Sequence, residues 1–219
     1  MKKMNFKLAI FDLDGTILDT LDDLSDSTNA ALRANSLPER TRDEVRRFVG
    51  NGIHLLIERA VPSGTSKEVV EKVFRDFKEY YGAHCTEKTA PYSGINELLD
   101  SLRGAGCRVA VVSNKADFAV QELCRRYFPG KLDFAVGERE NVRRKPAPDS
   151  AFESMKALGV SAADSIYIGD SDVDIETAKN AGIPCLSVTW GFRSREFLIG
   201  HGADRLVDTP DEMRKIIIG

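Results

Sequence analysis

The sequence predicts an α/β protein: a doubly wound parallel sheet with a Rossmann-like core, into which a small α-helical domain is inserted. Three observations support this prediction. Short continuous apolar runs, which suit strands buried on both faces of a parallel sheet, alternate with helix-length amphipathic segments in the later part of the chain. The first apolar run, 8–11, leads straight into Asp12-Leu13-Asp14-Gly15. The residues after it, 17–85, have helical periodicity throughout.

Composition places the chain among globular proteins. It has 219 residues, of which 42% are hydrophobic and 30% charged, which is enough for a substantial core. A net charge of −3 offers no basic surface for nucleic acid, and no apolar run reaches the roughly 18 residues of a membrane span. The four cysteines are scattered, as in reduced proteins. We therefore expect a cytoplasmic monomer or homodimer without nucleic-acid or membrane partners.

The inserted helical domain is expected to span 17–85, leaving 1–16 and 86–219 for the core. The pattern Thr41-x-x-Glu44 predicts a helix that starts with a capping box, and a last helix is predicted from about 67 to 81. Between the helices, Gly50-Asn51-Gly52 interrupts the periodicity and predicts a loop. A run of helices this long, without a strand, indicates a small bundle of its own.

The core is expected to alternate strands and helices. Strands are predicted at 8–11, 107–112, 134–136, 165–168 and 184–188, and 203–218 should add a short edge strand and a closing helix. Helices are predicted to begin near 93, 118 and 149, with another after 171. Right-handed crossovers then bring the carboxyl ends of all the parallel strands to one edge of the sheet. Sheets of this kind bind their ligands at that edge.

Polar residues follow the predicted strands where each strand ends. They are Asp12 and Asp14, Ser113 and Asn114, and Asp170 and Asp174, with Lys145 in a loop that can reach the same edge. Carboxylates gathered together repel one another unless cations lie among them. With oxygen donors and no paired His or Cys, the expected ion is Mg²⁺, bound by Asp12, Asp14, Asp170 and Asp174.

Mg²⁺ favours a phosphate oxygen among its remaining ligands, and a Ser113 hydroxyl and a Lys145 ammonium are natural phosphate donors. The predicted substrate is therefore a phosphate ester. Asp12 could act as the nucleophile and form an aspartyl phosphate. Asp14 would protonate the leaving group and later deprotonate the attacking water. Lys145 and the metal would stabilise the charge of the transition state.

These segments resemble the four motifs of the haloacid-dehalogenase-like hydrolase superfamily, in order. The matching segments are Asp12-Leu13-Asp14-Gly15-Thr16, Val112-Ser113-Asn114, Lys145-Pro146 and Gly169-Asp170-Ser171-x-x-Asp174. The resemblance implies that Asp12 is the nucleophile, and that Asp14 is the acid/base with its carbonyl on magnesium. It implies that Asp170 is a metal ligand and that Asp174 is a ligand or supports one. Ser113 and Lys145 would hold the phosphate, and we add Thr16 and Asn114, from the same motifs, to the phosphate-binding set.

Within the superfamily, residues 49–60 and 189–193 look most like the phosphoglycolate phosphatases. That resemblance implies that the helical insertion is a cap that selects the substrate. It makes 2-phosphoglycolate the preferred small phosphorylated metabolite, with Gly50, Asn51 and Gly52 in the substrate loop. The cap arginines, Arg42, Arg46 and Arg47, either bind a substrate carboxylate or form a solvated helix face. Trp190 either packs against the cap hinge or fills the core.

Three other functions stay open on the sequence. A phosphosugar mutase would share the nucleophile and the acid/base but return the phosphoryl group to the sugar. A pyrophosphatase would share the same motifs. A phosphate-responsive binding module would need neither Asp14 nor Lys145 for proton transfer or charge stabilisation.

Overall fold

The computed structural model describes residues 5–219, so the start of the predicted core at residue 1 lies outside the described residues. The chain divides into two compact units. One unit comprises the segment up to Leu18 together with Pro91–Gly219, and the other is Asp19–Ala90. The domain limits given above, with 17–85 as the insertion, stay a prediction.

The first unit is built on a six-stranded sheet. In chain order the strands of the protein are β1 (Leu8–Phe11), β2 (Leu18–Asp19), β3 (Ala90–Pro91), β4 (Arg108–Ala116), β5 (Phe134–Glu138), β6 (Ser165–Gly169), β7 (Cys185–Val188) and β8 (Leu206–Val207). The sheet order is β5-β4-β1-β6-β7-β8, and every neighbouring pair is parallel. The predicted doubly wound α/β fold is confirmed.

The helices that follow β3 cover both faces of this sheet, and those that precede β3 form the second unit. In chain order the helices are α1 (Leu21–Ala34), α2 (Arg42–Phe48), α3 (Ile53–Ala60), α4 (Lys67–His84), α5 (Ile95–Gly104), α6 (Asp117–Tyr127), α7 (Asp149–Leu158), α8 (Asp172–Ala181), α9 (Arg195–Gly200) and α10 (Pro210–Ile218). Among the described residues, no helix combines the length and apolar character needed to cross a membrane.

The central strand β1 explains why the site lies where it does. All four of its side chains are fully buried, which suits a strand covered on both faces. In register, Phe11 lies opposite Val111 of β4 and Ile168 of β6. β1 and β6 therefore end at nearly the same level, whereas β4 continues past it to Ala116. The residues after Phe11 and Gly169 emerge at one edge, beside the last part of β4. The backbone N–H of Asp12 still donates to the Ile168 carbonyl, so Asp12 is held at the very end of the ladder.

The second unit is a helical bundle in which α1 packs along α4. The predicted capping box at its second helix is present: Glu44 N–H donates to Thr41 Oγ1, and Thr41 N–H donates to Glu44 Oε2. Buried Asp23 accepts hydrogen bonds from the backbone N–H groups of Lys88 and Thr89, which fastens the end of the unit to its first helix.

The prediction of local structure was wrong at three places. The strand predicted at 107–112 continues to Ala116, so Ser113 and Asn114 lie within β4 and do not follow it. Residues 17–20 were expected to be helical, but Leu18–Asp19 form a short strand that pairs with Ala90–Pro91, and the helix begins at Leu21. These two-residue strands have too little pattern to be predicted from periodicity. Helix α9 was not predicted; its N-cap is Ser194, whose hydroxyl accepts from the N–H of Phe197.

Candidate active site

Lys145 lies between two carboxylates at the edge of the sheet. Its Nζ is 2.8 Å from Asp12 Oδ1 and 2.8 Å from Asp174 Oδ1, and its side chain is only 3% exposed. The loop that carries Lys145 is anchored by Asn114. The Asn114 amide accepts from the backbone N–H of Lys145 and donates to its carbonyl, at 2.9 and 3.1 Å. The side chain of Asn114, predicted to bind phosphate, therefore positions the lysine.

Three buried carboxylates gather beside this lysine. Asp12, Asp170 and Asp174 each offer an oxygen, and these three atoms lie within 4.8 Å of one another. Asp174 is the best enclosed of them, because its second oxygen accepts from both the N–H and the hydroxyl of Ser171 in a capping box at the start of α8. An all-oxygen, carboxylate-rich donor set fits a hard divalent cation.

The position of Asp170 depends on two glycines from distant parts of the chain. A Cβ at Gly15, whose φ is +81°, would overlap the Asp170 carboxylate. A Cβ at Gly191 would overlap both Asp170 and the Gly15 carbonyl oxygen. Next to Gly191, the N–H of Phe192 donates to Asp170 Oδ2 at 2.7 Å. Both glycines are needed here, since only a residue without a side chain can approach Asp170 so closely. The backbone N–H of Phe192 then completes the support of this carboxylate.

Asp14 is paired with a second buried lysine. Lys115 Nζ lies 2.8 and 3.1 Å from the two oxygens of Asp14. Lys115 was not predicted as a site residue, although a buried lysine near the end of a buried strand needs a paired acid. The four predicted carboxylates thus face two ammonium groups, not one. Two formal negative charges remain, which one divalent cation would neutralise.

Burial and mutual repulsion shift the acidities of the cluster. Burial raises the pKa of Asp12 to about 7, against the opposing attraction of Lys145. Burial, and then the charges of Asp174 and Asp12, hold the pKa of Asp170 well above its usual range. Burial alone would lower the pKa of Lys145, but Asp12 and Asp174 outweigh it and raise that pKa. Lys145 therefore stays protonated. The raised pKa values of Asp12 and Asp170 show that the negative charges of the carboxylates are not fully compensated, so the cluster favours binding of an added cation.

The other predicted phosphate-binding residues lie at the same edge. The Thr16 hydroxyl is buried and 3.4 Å from Asp170 Oδ1, and the Thr16 carbonyl accepts from the indole N–H of Trp190 at 3.1 Å. Ser113 is buried, and its Oγ accepts from the backbone N–H of Lys115 at 3.2 Å. Trp190 therefore fastens the segment after β1 to the loop after β7.

In the helical unit, the predicted substrate loop 50–52 is held by hydrogen bonds from Arg59. Gly50 and Gly52 have φ values of +125° and +86°, a region that favours glycine. The Arg59 guanidinium donates to the carbonyl of Phe48 and to Asn51 Oδ1, at 2.8 and 3.3 Å. Two of the cap arginines have acidic partners at the surface of the unit, Arg42 with Asp22 and Arg46 with Asp43.

Comparison with known proteins supplies the family. A family model described as haloacid dehalogenase-like hydrolase matches residues 9–188. The chain is 32% identical to the N-acetylmuramic acid 6-phosphate phosphatase of Pseudomonas aeruginosa, over 99% of this chain and 97% of the other. It is 30% identical to a phosphoglycolate phosphatase of Vibrio parahaemolyticus, over 99% and 98%. A crystal structure from Lactobacillus delbrueckii subsp. bulgaricus, provisionally described as a phosphoglycolate phosphatase, is 40% identical over 99% of this chain and 100% of that one, with a TM-score of 0.93.

Proposed function

The chain belongs to the haloacid dehalogenase-like hydrolase family, and from that premise we propose that it is a phosphatase. It hydrolyses a small organic phosphate monoester, with 2-phosphoglycolate as the best candidate, through an aspartyl-phosphate intermediate. Asp12 is the nucleophile and Asp14 the acid/base. Lys145, Thr16 and Ser113 bind the phosphate group. Asn114 contributes by holding the backbone of Lys145 in position.

One observation carries the proposal: Lys145 lies between Asp12 and Asp174, in a buried cluster with Asp170 at the carboxyl end of β1. The Lys145 ammonium, together with a divalent cation that Asp12, Asp170 and Asp174 would hold, would attract a phosphoryl group to the Asp12 carboxylate. A site that only binds phosphate has no need for a buried carboxylate there, because that carboxylate would repel the anion.

In the first step, an oxygen of Asp12 attacks phosphorus. The Asp12 oxygen–phosphorus bond forms as the bond from phosphorus to the leaving oxygen breaks, and Asp14 gives its proton to that leaving oxygen. The alcohol departs. Lys145 stabilises the negative charge on the phosphoryl oxygens, and its contact with Asp174 holds it in place during the transfer.

In the second step, water attacks the aspartyl phosphate. The water oxygen–phosphorus bond forms as the Asp12 oxygen–phosphorus bond breaks, and Asp14 takes the proton that the water loses. Inorganic phosphate leaves and Asp12 is again a carboxylate. We propose Mg²⁺ as the cation held by Asp12, Asp170 and Asp174, with the Asp14 carbonyl as a further ligand. When bound, it would supply electrostatic stabilisation of the phosphoryl charge.

The substrate class follows from what the named relatives share. Both phosphoglycolate and N-acetylmuramic acid 6-phosphate are phosphate monoesters of a molecule that also carries a carboxylate. We propose that this chain takes a monoester of the same kind, selected by the helical domain 17–85 through Gly50, Asn51 and Gly52. The cytoplasmic location, the monomer or homodimer state and the absence of nucleic-acid or membrane partners stay predictions.

The test is a release assay for inorganic phosphate. Purified protein is supplied with phosphoglycolate, N-acetylmuramic acid 6-phosphate, sugar phosphates and pyrophosphate, each with Mg²⁺ or with a chelator. We expect Mg²⁺-dependent release from a carboxylate-bearing monoester, and none from the Asp12→Asn variant. After an acid quench, mass spectrometry should find the phosphoryl group on Asp12. Isomerised product without net phosphate release would establish a mutase instead, and binding without turnover would leave only a binding module.

A further inference from the structure

Two buried ammonium groups lie at the candidate active site, and the mechanism above uses only Lys145. The second is Lys115, whose side chain is 2% exposed and whose Nζ contacts both oxygens of Asp14. The Asp14 side chain is 14% exposed. A lysine this deeply buried persists only where an acid compensates its desolvation. Lys115 and Asp14 therefore fix one another in place.

The backbone around Lys115 is itself rigidly placed. Lys115 lies near the end of β4, beyond the point after Val112 where the register with β5 shifts. Gly137 of β5 approaches the Lys115 carbonyl so closely that a Cβ there would overlap it. The Gly137 N–H also donates to Asp117 Oδ1 at 2.7 Å. Two strands of the sheet thus hold the backbone from which the Lys115 side chain reaches Asp14, an arrangement expected for a group that orients another.

We propose that Lys115 is the positioning residue of the acid/base, an inference that rests on the proposed function and deepens it. Because one ammonium contacts both oxygens of Asp14, it restricts where the carboxyl group can point. It thereby restricts the direction from which an oxygen of Asp14 gives its proton to the leaving oxygen, while the Asp12–phosphorus bond forms. Lys115 itself makes no bond to phosphorus and exchanges no proton.

The test compares two leaving groups. One substrate is the alkyl monoester that the wild-type enzyme hydrolyses fastest, whose alcohol needs a proton to leave. The other is p-nitrophenyl phosphate, whose phenolate leaves without one. We expect Lys115→Met to lower kcat on the alkyl ester by about 10- to 100-fold, within the range of acid/base effects, and to change kcat on the aryl ester much less. KM for both should stay within about twofold, since the lysine does not bind substrate.

A double variant separates positioning from structure. If Lys115 acts only through Asp14, Lys115→Met in an Asp14→Asn background should cost no further kcat on the alkyl ester. The double variant removes both charges of this buried pair together, so it can be measured even if Lys115→Met alone does not fold. Lys115→Arg, which keeps the charge, should retain more alkyl-ester activity than Lys115→Met.

Two results would overturn the inference. One is an equal loss of kcat on the alkyl and aryl esters, which marks a structural role. The other is a double variant slower than Asp14→Asn, which shows that the lysine acts elsewhere. Both presuppose an active wild type. If the wild-type enzyme releases phosphate from no monoester, it is the proposed function that fails, and the two failures are thereby told apart.

Discussion

The backbone N–H of Phe192 donates a hydrogen bond to Asp170 Oδ2 at 2.7 Å, although the two residues belong to different strand-end loops. This bond is possible because Gly191, the residue before Phe192, has no Cβ to meet Asp170. One carboxylate of the cluster is thus oriented by the loop that follows β7. The carboxylate cluster and that loop should therefore respond to the same substitutions.

The first prediction concerns Gly191→Ala. The new Cβ would overlap both Asp170 and the Gly15 carbonyl, so we expect cation affinity and phosphatase kcat to fall at least tenfold. Isothermal titration with Mg²⁺ and a phosphate-release assay measure the two effects. Gly104→Ala is the matched control, because Gly104 ends α5 with nothing within 4 Å of a new Cβ. An affinity that is the same in both variants would contradict the role given to Gly191.

The second prediction concerns Lys145→Met. It leaves Asp12 and Asp174 buried without their ammonium, so the free energy of unfolding in chelator should fall by about 3–5 kcal/mol. Urea denaturation measures it. The exposed Lys156, on α7, provides the control: Lys156→Met should change the stability by no more than about 0.5 kcal/mol. A loss of similar size in both variants would show that the buried pairs contribute no special stability.

The third prediction is a pH dependence in the absence of metal. The pKa of Asp170 is higher in the folded protein than its ordinary 3.8, so the folded state binds a proton that the unfolded state has lost. Stability contributed by this group is therefore present at low pH and lost as pH rises above that ordinary value. In chelator, Asp170→Asn should be more stable than the wild type at about pH 8, and this difference should shrink at about pH 5.

Added Mg²⁺ should reverse that order at the higher pH, because a ligand that binds only the folded wild type stabilises it. Thermal melts of both proteins at the two pH values, each with chelator and with Mg²⁺, measure these stabilities. If the difference in stability between the wild type and Asp170→Asn depends on neither pH nor Mg²⁺, then the ionised Asp170 does not destabilise the fold and does not bind the metal.

The fourth prediction tests the loop 50–52 by matched backbone changes. Gly52 and Gly64 have nearly equal positive φ values, +86° and +84°, and both lie in the helical unit. Alanine at either should cost a similar amount of stability, about 1 kcal/mol, through backbone strain. Only Gly52→Ala should raise KM for the preferred monoester, which steady-state kinetics measures. Equal KM values in the two variants would remove the loop from substrate selection.

The sequence was sufficient for the fold and for the edge at which the site lies. Buried runs such as 8–11, alternating with helices, are typical of strands covered on both faces, and ligands bind at the carboxyl ends of such parallel strands. Asp12, Asp170 and Lys145 were therefore expected at the same place. In the structure Lys145 Nζ lies 2.8 Å from Asp12 Oδ1, and a carboxylate oxygen of Asp170 lies within 4.8 Å of one of Asp12. The loop 50–52 and the two-residue strands β2 and β3 are too short for periodicity to fix their geometry.

Only the tertiary structure decided how the charges are paired. Side-chain alternation predicted that Asp12 and Asp14 lie on the same side of the first strand. It did not predict that Asp12 pairs with Lys145 and Asp14 with Lys115. Lys145 reaches Asp12 from a loop held by Asn114, and Lys115 reaches Asp14 from the part of β4 that lies beyond the register shift. Electrostatic pairing depends on distances of a few ångströms between segments far apart in the chain. The sequence specifies which ionisable groups meet at the edge, and packing alone sets which of them touch.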